Sequence, residues 1–136
     1  KFYPDAKVFQ EACPMWVPLI ENNEYNLPGA DYFVKKHIDH LLQQSKDIDT
    51  VLLACTHYPL LMDKIKEYVP GGINIVSQGE IVAKSLVEYL ARHSEIDEKL
   101  AKNGQINFFT TDSAEDFDNH ASVFYGKPVK SRHLVL

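Results

Sequence analysis

The sequence predicts an α/β fold, a largely parallel sheet flanked by helices. Short apolar runs at residues 51–54 (VLLA), 73–76 (INIV) and 106–110 (INFFT) alternate with longer stretches. Those stretches carry apolar residues three and four apart, the helical period. The strand runs are continuous rather than alternating, as in parallel strands buried on both faces. The 136 residues suffice for a real core, and no repeat or low-complexity stretch interrupts them.

Taken in order, residues 7–12 (KVFQEA) read as a short strand ending at Cys13-Pro14. Residues 15–20 (MWVPLI) are apolar but broken by Pro18, so they read as irregular or a short helix. A polar loop follows at 22–29. Residues 30–44 read as an amphipathic helix, with Phe33, Val34, His37, Ile38, Leu41 and Leu42 at helical spacing. After the 51–54 strand, residues 59–69 read as a helix with Pro59 as its first residue, where no amide donor is needed. Pro70-Gly71-Gly72 ends it. Residues 79–93 form the next predicted helix, with Ile81, Val82, Leu86 and Leu90 on one side. Residues 94–104 read as a charged connector. Thr111-Asp112-Ser113 followed by acids starts a helix over 113–124, and 128–135 is the last strand candidate.

Composition excludes several functions. A net charge of −5 argues against a broad electrostatic footprint for nucleic acid or anionic membrane. No apolar run approaches the roughly 18 residues a membrane helix needs. Residues 1–14 lack the basic-then-apolar pattern of a signal peptide. Two cysteines make no disulfide framework, and a reduced, cytoplasmic setting is expected. The chain opens on Lys1 rather than Met, so a preceding segment is expected to have been removed.

Chemistry concentrates in VLLACTHYPLL, residues 51–61. Ligands in open α/β sheets bind outside the carboxyl ends of strands, where Cys55, Thr56 and His57 fall. The start of the predicted helix favours anions there, a substrate carboxylate or a thiolate included. The sulfur suits either nucleophilic attack or general base catalysis, with His57 to hold or receive a proton. Without further context, Cys55 also reads as a small core residue. Metal sites find little support. Cys13, Cys55 and His57 are scattered, and His37 with His40 reads as helix surface or core filler. Trp16 reads as core. His120, Lys127, Lys130, Arg132 and His133 read as a solvated face.

Ala54-Cys55-Thr56-His57-Tyr58-Pro59-Leu60-Leu61 resembles the second catalytic motif, Gly-Cys-Thr-His-Tyr-Pro, of bacterial glutamate racemases. Ala12-Cys13-Pro14 with Val17-Pro18-Leu19-Ile20-Glu21 resembles the family's Ala-Cys-Pro segment ending in a glutamate. Ile75-Val76-Ser77-Gln78-Gly79 resembles its strand leading to Ser-Ser-Gly, and Phe108-Phe109-Thr110-Thr111 its late Phe-Leu-Thr-Thr strand. Ala54 departs from the usual Gly. The family's Asp-Ser and Cys-Asn-Thr motifs, the latter carrying the first catalytic cysteine, have no counterpart here. Cys13 does not replace it, since its context is Ala-Cys-Pro. The resemblance is therefore to the carboxy-terminal half of the family, and implies a partial two-lobe racemase fold.

The resemblance implies two-base interconversion of L- and D-glutamate without pyridoxal phosphate or metal. Cys55 would be the acid/base thiol facing the α proton of L-glutamate. Thr56 would bind substrate, His57 would bind nearby and tune the Cys55 proton, and Glu21 would support His57. Residues 1–77 would belong to the second lobe, and 78–136 would return to complete the first. The chain alone is expected to be inactive, and open sheet edges to drive dimerisation or segment exchange. Alternatives are an aspartate or hydantoin racemase, a Cys/His hydrolase, and a non-enzymatic interaction module. His57-Tyr58-Pro59 favours glutamate among the racemases.

Overall fold

In the computed structural model, which describes residues 3–136, the chain forms two compact units, Lys1–Lys84 and Ser85–Leu136. The expected α/β character and parallel pairing are borne out, as two separate two-stranded sheets.

In the first unit, α1 (Trp16–Glu21) forms despite Pro18. Pro18 is its third residue, within the first turn, where amides lack helical partners anyway. Helix α2 (Pro28–Gln43) starts two residues earlier than the apolar period predicts, because Pro28 suits a helix start. It buries Ala30, Val34, His37 and Ile38, one stripe at spacings of four, three and one. Strand β1 (Thr50–Leu53) pairs in parallel with β2 (Asn74–Ser77), Val51 opposite Ile75. A 3-10 turn (Tyr58–Leu61) and α3 (Met62–Tyr68) make the crossover that parallel pairing requires. Trp16, Ile20, Val34, Ile38, Val51, Leu53, Leu61 and Ile65 close the core between these elements. Lys64 Nζ reaches Asp31 Oδ1 at 2.5 Å and ties α3 to α2.

Three expectations are corrected in this unit. Strand 51–54 is not buried on both faces. Val51 and Leu53 are covered while Leu52 is 59% exposed, because the helices pack on one face only. Residues 7–12 form no strand, since among the described residues no neighbouring strand pairs with them. The helix after His57 opens as a 3-10 turn with Tyr58, not Pro59, as its first residue.

Helix α4 (Gln78–Arg92) crosses the division between the units. Its predicted apolar side is left open, with Ile81, Val82 and Leu86 all more than half exposed. In the second unit, α5 (Ser94–Asp97) is a single turn. Strand β3 (Phe108–Thr110) pairs in parallel with β4 (Ser131–His133), across α6 (Ala114–Tyr125). Ser113 caps α6 by accepting the Asp116 amide, as its sequence signal predicts. Gly126 closes it at φ 69°, a left-handed conformation that glycine adopts without a Cβ clash. Asp118 Oδ1 accepts the Ser131 amide at 2.8 Å, and Ser122 Oγ accepts the Val129 amide at 2.9 Å. Among the described residues no helix is long and apolar enough to cross a membrane.

Candidate active site

Strand β1 ends after the buried Leu53, and the chain turns at once. The Tyr58 amide donates to the Cys55 carbonyl at 3.3 Å, and the Leu60 amide to the His57 carbonyl at 3.0 Å. These bonds use amides that the sequence reading left free beside Cys55, because a 3-10 turn closes one residue sooner than an α-turn. Two anchors fix the turn. Leu61 is 1% exposed, and the Tyr58 ring packs edge-on against Trp16 at 4.8 Å. Cys55, Thr56 and His57 are thereby displayed at the carboxyl end of β1, half-buried, exposed and half-buried in turn.

The structure brings three of the four sequence-predicted residues into one line. Cys55 Sγ lies 3.8 Å from His57 Nδ1, within reach for sulfur. On the far side of the ring, His57 Nε2 bonds Glu21 Oε1, at the last residue of α1. An ionised carboxylate only accepts, so Nε2 carries the hydrogen and a neutral ring turns its Nδ1 lone pair toward the thiol. That arrangement can take a proton from sulfur and return it, with Glu21 stabilising the imidazolium. Thr56 stands exposed beside this line.

Cys13 is a different kind of thiol. It is buried, and burial first, then the Glu11 charge, push its pKa up to about 11, against a hydrogen bond with Tyr58. Tyr58 is pushed up to about 12, by burial and then by charge on Cys13 and Cys55. Cys13 therefore stays a protonated packing residue at neutral pH.

Sequence reasoning missed the role of Glu11. Its Oε1 lies 2.7 Å from His37 Nδ1 and 3.5 Å from His40 Nδ1, pinning residues 7–12 against α2. The bond from His37 is the leading reason that the Glu11 carboxyl sits below the usual carboxylate range. The available signal was His37, a polar residue on the buried stripe of α2. Glu11, His37 and His40 are the group of metal-capable side chains that lie together among the described residues. They are already engaged with one another. His133 Nδ1 donates to the Asp112 carbonyl at 3.0 Å, and His120 Nδ1 to the Asp116 carbonyl at 2.9 Å.

No family model matches the chain. A curated relative, glutamate racemase 2 of Caldanaerobacter subterraneus subsp. tengcongensis, is 35% identical over 132 residues, 97% of this chain and 48% of the relative. The crystal structure of a glutamate racemase isoform from Bacillus anthracis superposes with a TM-score of 0.79 at 33% identity, covering 97% of this chain and 48% of that one. The glutamate racemase of Francisella tularensis, solved in complex with D-glutamate, gives 0.81 at 19% identity, over 97% of this chain and 48% of that one; it shows the fold alone. The chain thus spans about half the length of the curated relatives it matches.

Proposed function

We propose that this chain, a homologue of the glutamate racemases over nearly all of its length, carries one half of a glutamate racemase active site. The observation that carries the reading is the line from Cys55 through His57 to Glu21 at the end of β1. It supports a thiol that exchanges a proton with substrate.

Racemisation removes the α proton on one face and delivers one to the other. Cys55 serves the face of the L-enantiomer, and His57 and Glu21 relay its proton. Thr56, exposed beside the thiol, offers its hydroxyl and amide to the substrate carboxylate. The developing carbanion needs prepared donors in a desolvated site. The half-exposed Cys55 and open groove indicate that more protein is required to close it. A second base on the opposite face comes from the half of the relatives that this chain does not cover. Residues 1–77 then belong to one lobe of a two-lobe enzyme, and 78–136 complete the other. The setting is the cytoplasm of a cell that needs D-glutamate for peptidoglycan. The substrates are L- and D-glutamate, and self-association through unpaired edges accompanies the chain on its own.

The test joins this chain to the uncovered half of the Caldanaerobacter racemase in one polypeptide. The fusion should racemise glutamate, followed by optical rotation, and leave aspartate unchanged. The 136-residue chain alone should do neither. Racemisation by the chain alone, abolished by Cys55→Ala, would contradict the two-half reading. Turnover of aspartate in preference to glutamate would replace the substrate.

A further inference from the structure

Helix α2 turns two imidazoles toward one carboxylate that comes from outside the helix. His37 and His40 stand three residues apart, so they share a side of α2. Glu11 Oε1 lies 2.7 Å from His37 Nδ1 and 3.5 Å from His40 Nδ1. One donor atom from each of the three residues lies within 4.8 Å of the other two. A single histidine completes an ion pair with Glu11. The second, converging on the same carboxylate oxygen, is more than an ion pair requires.

Each donor is held in place by its own surroundings. The His37 side chain belongs to the buried stripe of α2 and is 9% exposed, and its ring meets Trp16 edge-on at 6.3 Å. The His37 and His40 rings stand nearly perpendicular, their centroids 6.2 Å apart. The Glu11 side chain is 20% exposed. Its neighbours in the chain are tied down on both sides. Gln44 Nε2 donates to the Gln10 carbonyl at 3.1 Å, and Cys13, two residues further on, is buried. His40 is 50% exposed and leaves the cluster open to water on one side.

We propose that Glu11, His37 and His40 form a zinc site that staples residues 7–12 to α2. Two imidazoles and one carboxylate are a donor set that zinc accepts, with water in the fourth, open position. Tetrahedral bonds of about 2.0–2.1 Å place donor atoms about 3.3 Å apart. The Glu11–His40 separation of 3.5 Å already matches that spacing. The Glu11–His37 separation of 2.7 Å must open by about 0.6 Å, and a separation of at most 4.8 Å must close by at most about 1.5 Å. Zinc replaces the hydrogen shared by His37 and Glu11. Each neutral imidazole then binds through Nδ1 and keeps its hydrogen on Nε2. Magnesium and calcium suit the set poorly, because they take oxygen ligands. The ion has a structural role, fixing Glu11 two residues ahead of Cys13. No residue of the Cys55–His57–Glu21 line takes part, so the proposal stands apart from the racemase reading.

Calorimetric titration of zinc chloride into the metal-free, untagged 136-residue chain tests the proposal. One zinc should bind per chain in the micromolar range, and magnesium in large excess should not displace it. The thermal midpoint should rise with zinc concentration, because only the folded chain gathers the three donors. The ring signals of His37 and His40 should shift on zinc addition in NMR spectra, and those of His120 and His133 should stay. His40→Ala removes an exposed ligand outside the buried stripe of α2. It should weaken binding about 100-fold or more and leave the circular dichroism of the chain unchanged. Glu11→Gln should weaken binding at least about tenfold. Cys55→Ser, which removes the exposed soft ligand, should change the affinity by less than about twofold. Absence of binding at millimolar zinc would overturn the proposal. So would undiminished affinity in His40→Ala and Glu11→Gln. Loss of binding in Cys55→Ser would place the ion on the Cys55–His57 line, and overturn it as well.

Discussion

Alkylation of Cys13 is a quantitative test of the packing beneath the site. At pH 8 a thiol held at about 11 is roughly 0.1% ionised, against roughly a quarter for an ordinary thiol. Since the thiolate is the nucleophile, this alone slows labelling about 240-fold. A more basic thiolate attacks faster, and a Brønsted slope of about 0.45 over the shift returns about 13-fold. The net expectation is a rate about 20-fold below that of the denatured chain. Burial to 9% exposure lowers it further. Iodoacetamide at pH 8 with peptide mass spectrometry measures the two rates, and Cys55 labels first in the native chain because it is more exposed. Between about pH 8 and pH 10 the native Cys13 rate should still climb about tenfold per unit, while the denatured rate levels off. Native Cys13 labelling within about threefold of the denatured rate, or a plateau near the ordinary thiol range, would refute the burial assigned to it.

Three further perturbations follow from the packing. Glu11 is held below the usual carboxylate range, so its stabilisation is present above that range and is lost as pH falls through the lowered value. The urea midpoint of the native chain should therefore drop between about pH 5 and pH 3, and drop less in Glu11→Gln; parallel drops would remove Glu11 as a stabilising group. Leu61→Ala should cost about 2–5 kcal/mol, since Leu61 is 1% exposed beneath the Cys55 turn. Urea unfolding followed by the lone Trp16 reads this loss, and an unmoved midpoint would show that the turn is held by something else. Ser113→Ala should cost about 1 kcal/mol at the start of α6 and speed exchange of the Asp116 amide about fivefold; an unchanged rate would mean that the cap contributes nothing.

Much of this was legible in the sequence. The apolar stripe of α2, the cap at Ser113 and the position of Cys55 at a strand end all follow from local periodicity and turn chemistry. The alignment of Glu21 with His57 was suggested by resemblance, and the structure adds the hydrogen bond that makes it physical. Other features depend on what lies alongside, which a local pattern does not contain. Residues 7–12 have the composition of a strand, but a strand exists only with a ladder partner. Leu52 reads as buried because VLLA is wholly apolar, yet among the described residues no layer covers that face, and Leu52 stays exposed. The apolar side of α4 is a further instance, helical in period and uncovered. The Glu11–His37 bond joins residues 26 apart, beyond any spacing rule.

The central claim is that Cys55 exchanges the α proton of L-glutamate with the help of His57. Solvent deuterium incorporation measures it directly, in the fusion with the uncovered half of the Caldanaerobacter racemase. L-glutamate should gain deuterium at the α carbon, and Cys55→Ala should abolish that gain. His57→Asn should lower it with a displaced pH profile. Undiminished incorporation from L-glutamate in Cys55→Ala would contradict the account.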